Sequence, residues 1–158
     1  MKVKLIVIGK TEEAYLKEGM ENYQNRIKHY LNFDMVVIPG LKNIKNLNIE
    51  QQKQKEGEQI LNTLNENDLV ILLDEKGKNF SSLEFSSVMQ SHMNAGIKQL
   101  VFIIGGPYGF SEKIYQRANS RLSFSKMTFS HQMIRLFFME QLYRAMTILK
   151  GEGYHNEG

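Results

Sequence analysis

A helix that is apolar on nearly every side has to be enclosed, and residues 130–150 of this chain describe one. Met133, Ile134, Phe137, Phe138, Leu142, Tyr143, Met146 and Leu149 recur at helical spacing, and Ser130 is the expected N-cap. Leu136, Met139, Ala145 and Ile148 widen the apolar arc beyond the stripe that would cover one sheet, and only Gln132, Arg135, Glu140, Gln141, Arg144 and Thr147 interrupt it. Such a helix needs cover on two sides, and a second copy of the chain is the expected second cover. The segment before it, Leu122–Phe129, alternates hydroxyl and apolar side chains around Lys126. It reads as the end of a strand opening into a loop rich in small donors.

The remainder supplies the sheet for this helix. Val3–Ile8, Phe33–Ile38, Asp68–Leu73 and Gln99–Ile104 are short apolar runs, and a fifth strand is expected near Arg121–Phe124. Between them lie helical patterns. One has Thr11 as cap, with Leu16, Met20, Tyr23 and Ile27 along a stripe; a polar one covers Ile49–Leu64. Another is opened by Ser81 and Glu84, the spacing of a capping box, and a short one by Ser111. Asp74–Lys78 reads as a turn. Strands alternating with helices predict an α/β domain with a mostly parallel sheet of five to six strands and helices on both faces.

At 158 residues the chain is expected to be one domain, long enough for a core without staples. It has no cysteine, so disulfides and thiolate metal sites do not apply, and the composition suits a reducing cytoplasm. The apolar run Leu5–Ile8 is too short for a signal peptide, and no later run is long enough for a membrane span; a soluble protein is expected. Net charge is +3 but unevenly spread. From Lys113 to His155 seven Lys and Arg face two Glu, a balance of +5 that leaves −2 for the rest. A basic C-terminal third points to an anionic partner, of which nucleic acid is the commonest.

Ligands of open parallel sheets sit beyond the C-terminal strand ends. Three such ends carry unusual loops: Leu73–Gly77, Gly105–Gly109 and Leu122–Phe129. Adjacent glycines at 105 and 106 let a ligand lie against bare backbone, although the same residues also make ordinary turns. No GxGxxG follows the first strand and no GxxxxGK[ST] is present, which disfavours a dinucleotide site and a P-loop. The histidines at 29, 92, 131 and 155 form no metal-binding pair, so no metal is expected. No GxSxG elbow occurs. His131 reads as a packing or cap-region residue, and Tyr154-His155 as part of a frayed tail.

Four blocks in order, LLDEKGKNFSS, VFIIGGPYGF, LSFSKMTFSHQMIRLFFMEQLYRA and a terminal GYH, resemble the RlmH family of SPOUT-class RNA methyltransferases over essentially the whole chain. Ser130 stands where relatives often have proline, and Gly153 where another small residue or proline is usual. The resemblance implies a C-terminal trefoil knot, with knot and cofactor region at about 100–150 and the tail 151–158 near the active site. It further implies S-adenosylmethionine as methyl donor, an obligate homodimer, and transfer to N3 of a pseudouridine in 23S rRNA of the assembled ribosome. Neither DNA nor a membrane is expected as a partner.

On the same resemblance Leu73, Gly105 and the run Leu122, Ser123, Phe124, Ser125, Lys126 and Met127 would hold the cofactor. Arg144 would hold the developing anion of the base. Tyr154 would stack on or hydrogen-bond the base, and His155 would orient it or relay its proton. Arg117, Arg121, Lys126, Arg135 and Lys150 are the candidates for phosphate contact. Two other functions fit the residues: a methyltransferase of the same class acting on a tRNA base or ribose, and a dimeric ribosome-binding module without catalysis.

Overall fold

The computed structural model describes residues 1–157, without the side chain of Glu157; the last tail residue, Gly158, lies outside the described residues. Five strands, β1 (Lys2–Ile8), β2 (Asn32–Ile38), β3 (Leu69–Asn79), β4 (Gln99–Ile104) and β5 (Ser120–Ser123), form one sheet in the order β2-β1-β4-β3-β5. Every pairing is parallel. The helices are α1 (Ala14–Ile27), α2 (Ile49–Asn62), α3 (Ser82–Asn94), α4 (Glu112–Arg117), α5 (Met133–Leu149) and the terminal turn α6 (Tyr154–Glu157).

Strand side chains alternate between two cores, as the two-residue repeat of a strand requires. Val3, Leu5 and Val7 of β1, with Leu100, Phe102 and Ile104 of β4, face Met20 of α1, Phe85 of α3 and Phe138 and Leu142 of α5. Ile6, Ile8, Val101 and Ile103 face Ile60 of α2 and Ile114 of α4. Sheets covered on both faces read as unbroken apolar runs, which is why β4 is QLVFII.

α5 packs against α1 on one flank and α3 on the other. The chain therefore supplies much of the second cover that the sequence reading gave to another copy. Phe138, Met139 and Leu142 are fully buried, whereas Phe137 remains 41% exposed and meets Phe129, 38% exposed, at 5.1 Å between ring centres.

Several boundaries differ from expectation. α1 begins at Ala14, and Thr11 does not cap it; its hydroxyl is buried and accepts from Arg135 Nη1 at 3.0 Å. α5 starts at Met133 with Gln132 at the cap position, and Ser130 Oγ, two residues before it, accepts from the Met133 N–H at 3.0 Å. Ser81 and Glu84 form the capping box read from sequence, and Asn48 with Gln51 forms a second one at α2.

The expected turn at Asp74–Lys78 is a bulge inside β3. Leu73 pairs with Leu122, then Asp74–Gly77 loop out, and Lys78 pairs with the same Leu122. Gly77 makes this possible. A Cβ there would stand 2.8 Å from both the Arg121 carbonyl carbon and the Leu122 nitrogen, and backbone cannot yield to it.

Candidate active site

Leu73, Ile104 and Leu122 lie in one row across β4, β3 and β5, so the three loops that leave these strand ends meet. They enclose a cleft of about 420 Å³. Its apolar walls come from Leu73, Ile104, Leu122, Phe124 and Ile134, and its backbone floor from Gly105–Gly109. A Cβ on Gly105 would come within 3.0 Å of the Phe110 ring. Gly109, at φ +83°, closes the turn through its N–H to the Gly106 carbonyl at 3.1 Å.

Hydroxyls and carboxylates shape the rim. Ser123 Oγ donates to the Ser125 carbonyl at 2.7 Å, and Ser125 Oγ accepts from the Met127 N–H at 3.0 Å. Thr128 Oγ1 donates to Glu75 at 2.7 Å, joining the β5 loop to the β3 bulge. Tyr115 OH donates to Asp74. Burial, then the bond to Asp74, pushes that phenol up to about 12. Behind Gly106, burial also raises the Glu56 carboxyl.

Of the residues expected to hold a cofactor, Leu73, Gly105, Leu122, Ser123, Phe124, Ser125 and Met127 all line this cleft, whereas Lys126 does not and is exposed. His131, read from sequence as packing, lines it too; burial first and the Arg135 charge second lower its pKa. Asp74, Glu75 and Thr128 line it from the loops Leu73–Gly77 and Leu122–Phe129 already singled out, whereas Tyr115 of α4 was not anticipated.

The other three candidates gather elsewhere. Arg144 donates to Glu140 Oε1 from Nε at 3.1 Å and from Nη2 at 2.6 Å. Its guanidinium carbon lies 4.7 Å from the Tyr154 ring centre, and Nη1 is 3.2 Å from His155 Nδ1. Tyr154 OH donates to the same Glu140 oxygen at 3.0 Å, and its ring meets Tyr143 in a T-shaped contact at 4.7 Å. The tail is thus a docked turn, where the sequence suggested fraying. Tyr23, Tyr30 and Tyr143 extend this aromatic cluster and were not anticipated as part of it.

Arg135 is withdrawn from the phosphate-contact candidates. It is fully buried, and its guanidinium donates to the carbonyls of Ile8 at 2.6 Å and Gly9 at 3.0 Å besides Thr11. Arg117 is half committed, since its Nη2 donates to the Asn65 and Asp68 carbonyls at 2.8 and 3.0 Å. Arg121, Lys126 and Lys150 are exposed.

A family model described as "Predicted SPOUT methyltransferase" matches residues 1–155. The chain belongs to the SPOUT methyltransferase family. Relatives match over nearly the whole of both chains. One from Parabacteroides distasonis is 57% identical over 157 residues, covering 99% of this chain and 100% of that protein. One from Christiangramia forsetii is 57% identical with 99% of both chains covered, and one from Flavobacterium johnsoniae is 56% identical over 157 residues, with 99% of this chain and 100% of that protein covered. All three are named ribosomal RNA large subunit methyltransferase H. The fold also matches the solved structure of "a probable methylase family protein" from Haemophilus influenzae, with a TM-score of 0.57 at 11% identity, over 96% of this chain and 69% of that one. Among the described residues, no helix is long and apolar enough to cross a membrane.

Proposed function

We propose that this SPOUT family member is a homodimeric, S-adenosylmethionine-dependent methyltransferase that modifies N3 of a pseudouridine in 23S rRNA, on the assembled ribosome in the cytoplasm. The observation that carries this reading is near-full-length identity of 56–57% to proteins named ribosomal RNA large subunit methyltransferase H.

The cleft suits the donor. Its volume falls in the range of small-molecule sites, about 300–1,000 Å³. Its walls are apolar and its floor is glycine backbone, and Asp74, Glu75, Lys53 and Lys76 supply charges of both signs around it, as a donor with both a sulfonium and a carboxylate requires. Leu73, Gly105 and Leu122–Met127 would hold it. When bound there, the sulfonium supplies an activated methyl group. The chain's own work is to align the accepting nitrogen, exclude water and favour loss of the nitrogen's proton.

Arg144, Tyr154 and His155 are the residues for that work, yet they lie at the far end of α5 from the cleft. Ile134 lines the cleft and Arg144 follows ten residues on, about 15 Å of helix rise. A second subunit bringing its own tail to the cleft removes this separation. The exposed pair Phe129 and Phe137, beside the cleft, is the apolar patch that favours such an interface. The return of β3 to Leu122 past its bulge is compatible with the trefoil knot that the family resemblance implies. Arg121, Lys126 and Lys150, with the partly committed Arg117, are the phosphate contacts of this reading. Few such contacts give weak, salt-sensitive binding to free RNA, so the shape of the ribosome supplies the specificity.

The test is methyl transfer from labelled S-adenosylmethionine to ribosomes lacking the modification. The expected product is N3-methylpseudouridine in 23S rRNA, with little label on naked rRNA. Label in tRNA, or no transfer, refutes the proposal.

A further inference from the structure

Arginine carries only hydrogen-bond donors. The 3.2 Å contact between Arg144 Nη1 and His155 Nδ1 is therefore a hydrogen bond with Nδ1 accepting, which leaves the proton of a neutral imidazole on Nε2. Glu140 sets the donor in place. Its Oε1 takes Nε and Nη2 of the same guanidinium and leaves Nη1 turned to the ring.

The tyrosine beside it has its one proton committed. Tyr154 OH gives its one proton to Glu140 Oε1, so in the 3.3 Å contact with Tyr23 OH the donor is Tyr23. One face of the Tyr154 ring carries the Arg144 guanidinium, and Tyr143 packs against it at 4.7 Å. Neither the hydroxyl proton nor the covered face is free for a base.

We propose that Glu140 and Arg144 are positioning residues that fix His155 as an Nε2–H donor, and that this N–H reads a carbonyl oxygen of the target base while Tyr154 anchors the tail. The proposal rests on the methyltransferase reading above. A uracil-type ring flanks N3 with two carbonyl oxygens, and the charge left when N3 loses its proton spreads onto them. A donor beside one of them both recognises the ring and stabilises the anion. A cytosine-type ring offers an amino group on one side of N3 and meets this donor less well. With its Nε2 already protonated, His155 does not take the N3 proton; it orients and stabilises.

Two measurements test this. Long-range 15N–1H spectra of the full protein at pH about 8, above the ordinary imidazole range, report which nitrogen carries the proton, with the His155 signals identified by their loss in His155→Gln. The expected pattern is protonated Nε2 and bare Nδ1. Glu140→Gln is expected to move the His155 Nδ1 resonance and leave the other three histidines in place. A proton on Nδ1, or no movement in Glu140→Gln, overturns the proposal. In the second, methyl transfer is compared for His155→Gln, whose amide nitrogen replaces Nε2, and His155→Asn, whose amide replaces Nδ1. The glutamine variant is expected to keep at least about tenfold more activity, the worth of one good hydrogen bond. Equal loss in both overturns it. If the parent transfers no methyl group, the enzymatic reading fails, while the spectra still decide the tautomer.

Discussion

The Arg144 guanidinium lies over the Tyr154 ring, 4.7 Å from its centre, and one oxygen of Glu140 holds both side chains. A residue on the last long helix and one in the terminal turn thereby act as a unit. Deleting residues from Gly153 onward removes that unit and leaves the cleft intact. Methyl transfer is expected to fall by at least about 100-fold, which corresponds to about 2.7 kcal/mol of transition-state stabilisation. Calorimetric affinity for S-adenosylmethionine should stay within about twofold of the parent, because the cleft walls come from other loops.

At Gly77 the backbone of β5 leaves no room for a side chain on β3. Gly77→Ala places a methyl group 2.8 Å from the backbone of Arg121 and Leu122. Over-packing against backbone is expected to cost about 1–3 kcal/mol. The displaced atoms belong to the Leu122 loop, so donor affinity should fall together with the denaturation midpoint. A variant with parental stability and affinity would show that the bulge is not held in this register.

Among the described residues Arg135 is a buried cation with no carboxylate partner, bound to the carbonyls of Ile8 and Gly9. Its burial lowers its pKa. Together with Gln132, which exchanges bonds with the Lys10 carbonyl and the Glu12 N–H, it pins the start of α5 to the end of β1. Arg135→Ala strands those carbonyls and opens a cavity. The expected loss of stability is about 2–5 kcal/mol, from the cavity and the unpaired carbonyls together, read from urea unfolding. A surface phosphate contact would instead weaken ribosome binding and leave unfolding unchanged.

Burial and the bond to Asp74 disfavour the Tyr115 phenolate and push the phenol up from an ordinary 10.0 to about 12. A pKa raised on folding means that the native state holds the proton longer than the unfolded chain. The associated stability is complete below pH about 10 and disappears as pH rises through about 12. The parent should lose more stability between pH about 9 and 11.5 than Tyr115→Phe, whose position has no proton to lose. Parallel losses in the two proteins would contradict the assignment.

The strands and their alternation were legible because a sheet covered on both faces demands uninterrupted apolar runs, and QLVFII was read to the residue. The DEKGK bulge was not. Its polar residues mimic a turn, and only the closeness of Gly77 to Leu122, 45 positions on, shows that the strand resumes. The cleft was legible as three loops because a parallel sheet dictates where strand ends meet. Arg135 was misread because an arginine among apolar residues at helical spacing gives no sign of bonding to carbonyls more than a hundred residues earlier. From its residues alone the tail reads as frayed, for a similar reason. Nothing in GEGYHNEG announces that Glu140, on another helix, will hold its tyrosine.

The separation between the cleft and the Arg144 cluster makes one experiment decisive. Gly105→Arg puts a large side chain where a Cβ already meets the Phe110 ring at 3.0 Å, and should abolish donor binding. The deletion from Gly153 onward removes the tail. Each protein alone should be inactive on ribosomes. Co-expressed, they should regain about a quarter of parental activity, because about half of randomly paired dimers are mixed and each mixed dimer joins one intact cleft to one intact tail. No recovery in purified mixed dimers would contradict a site shared between two subunits.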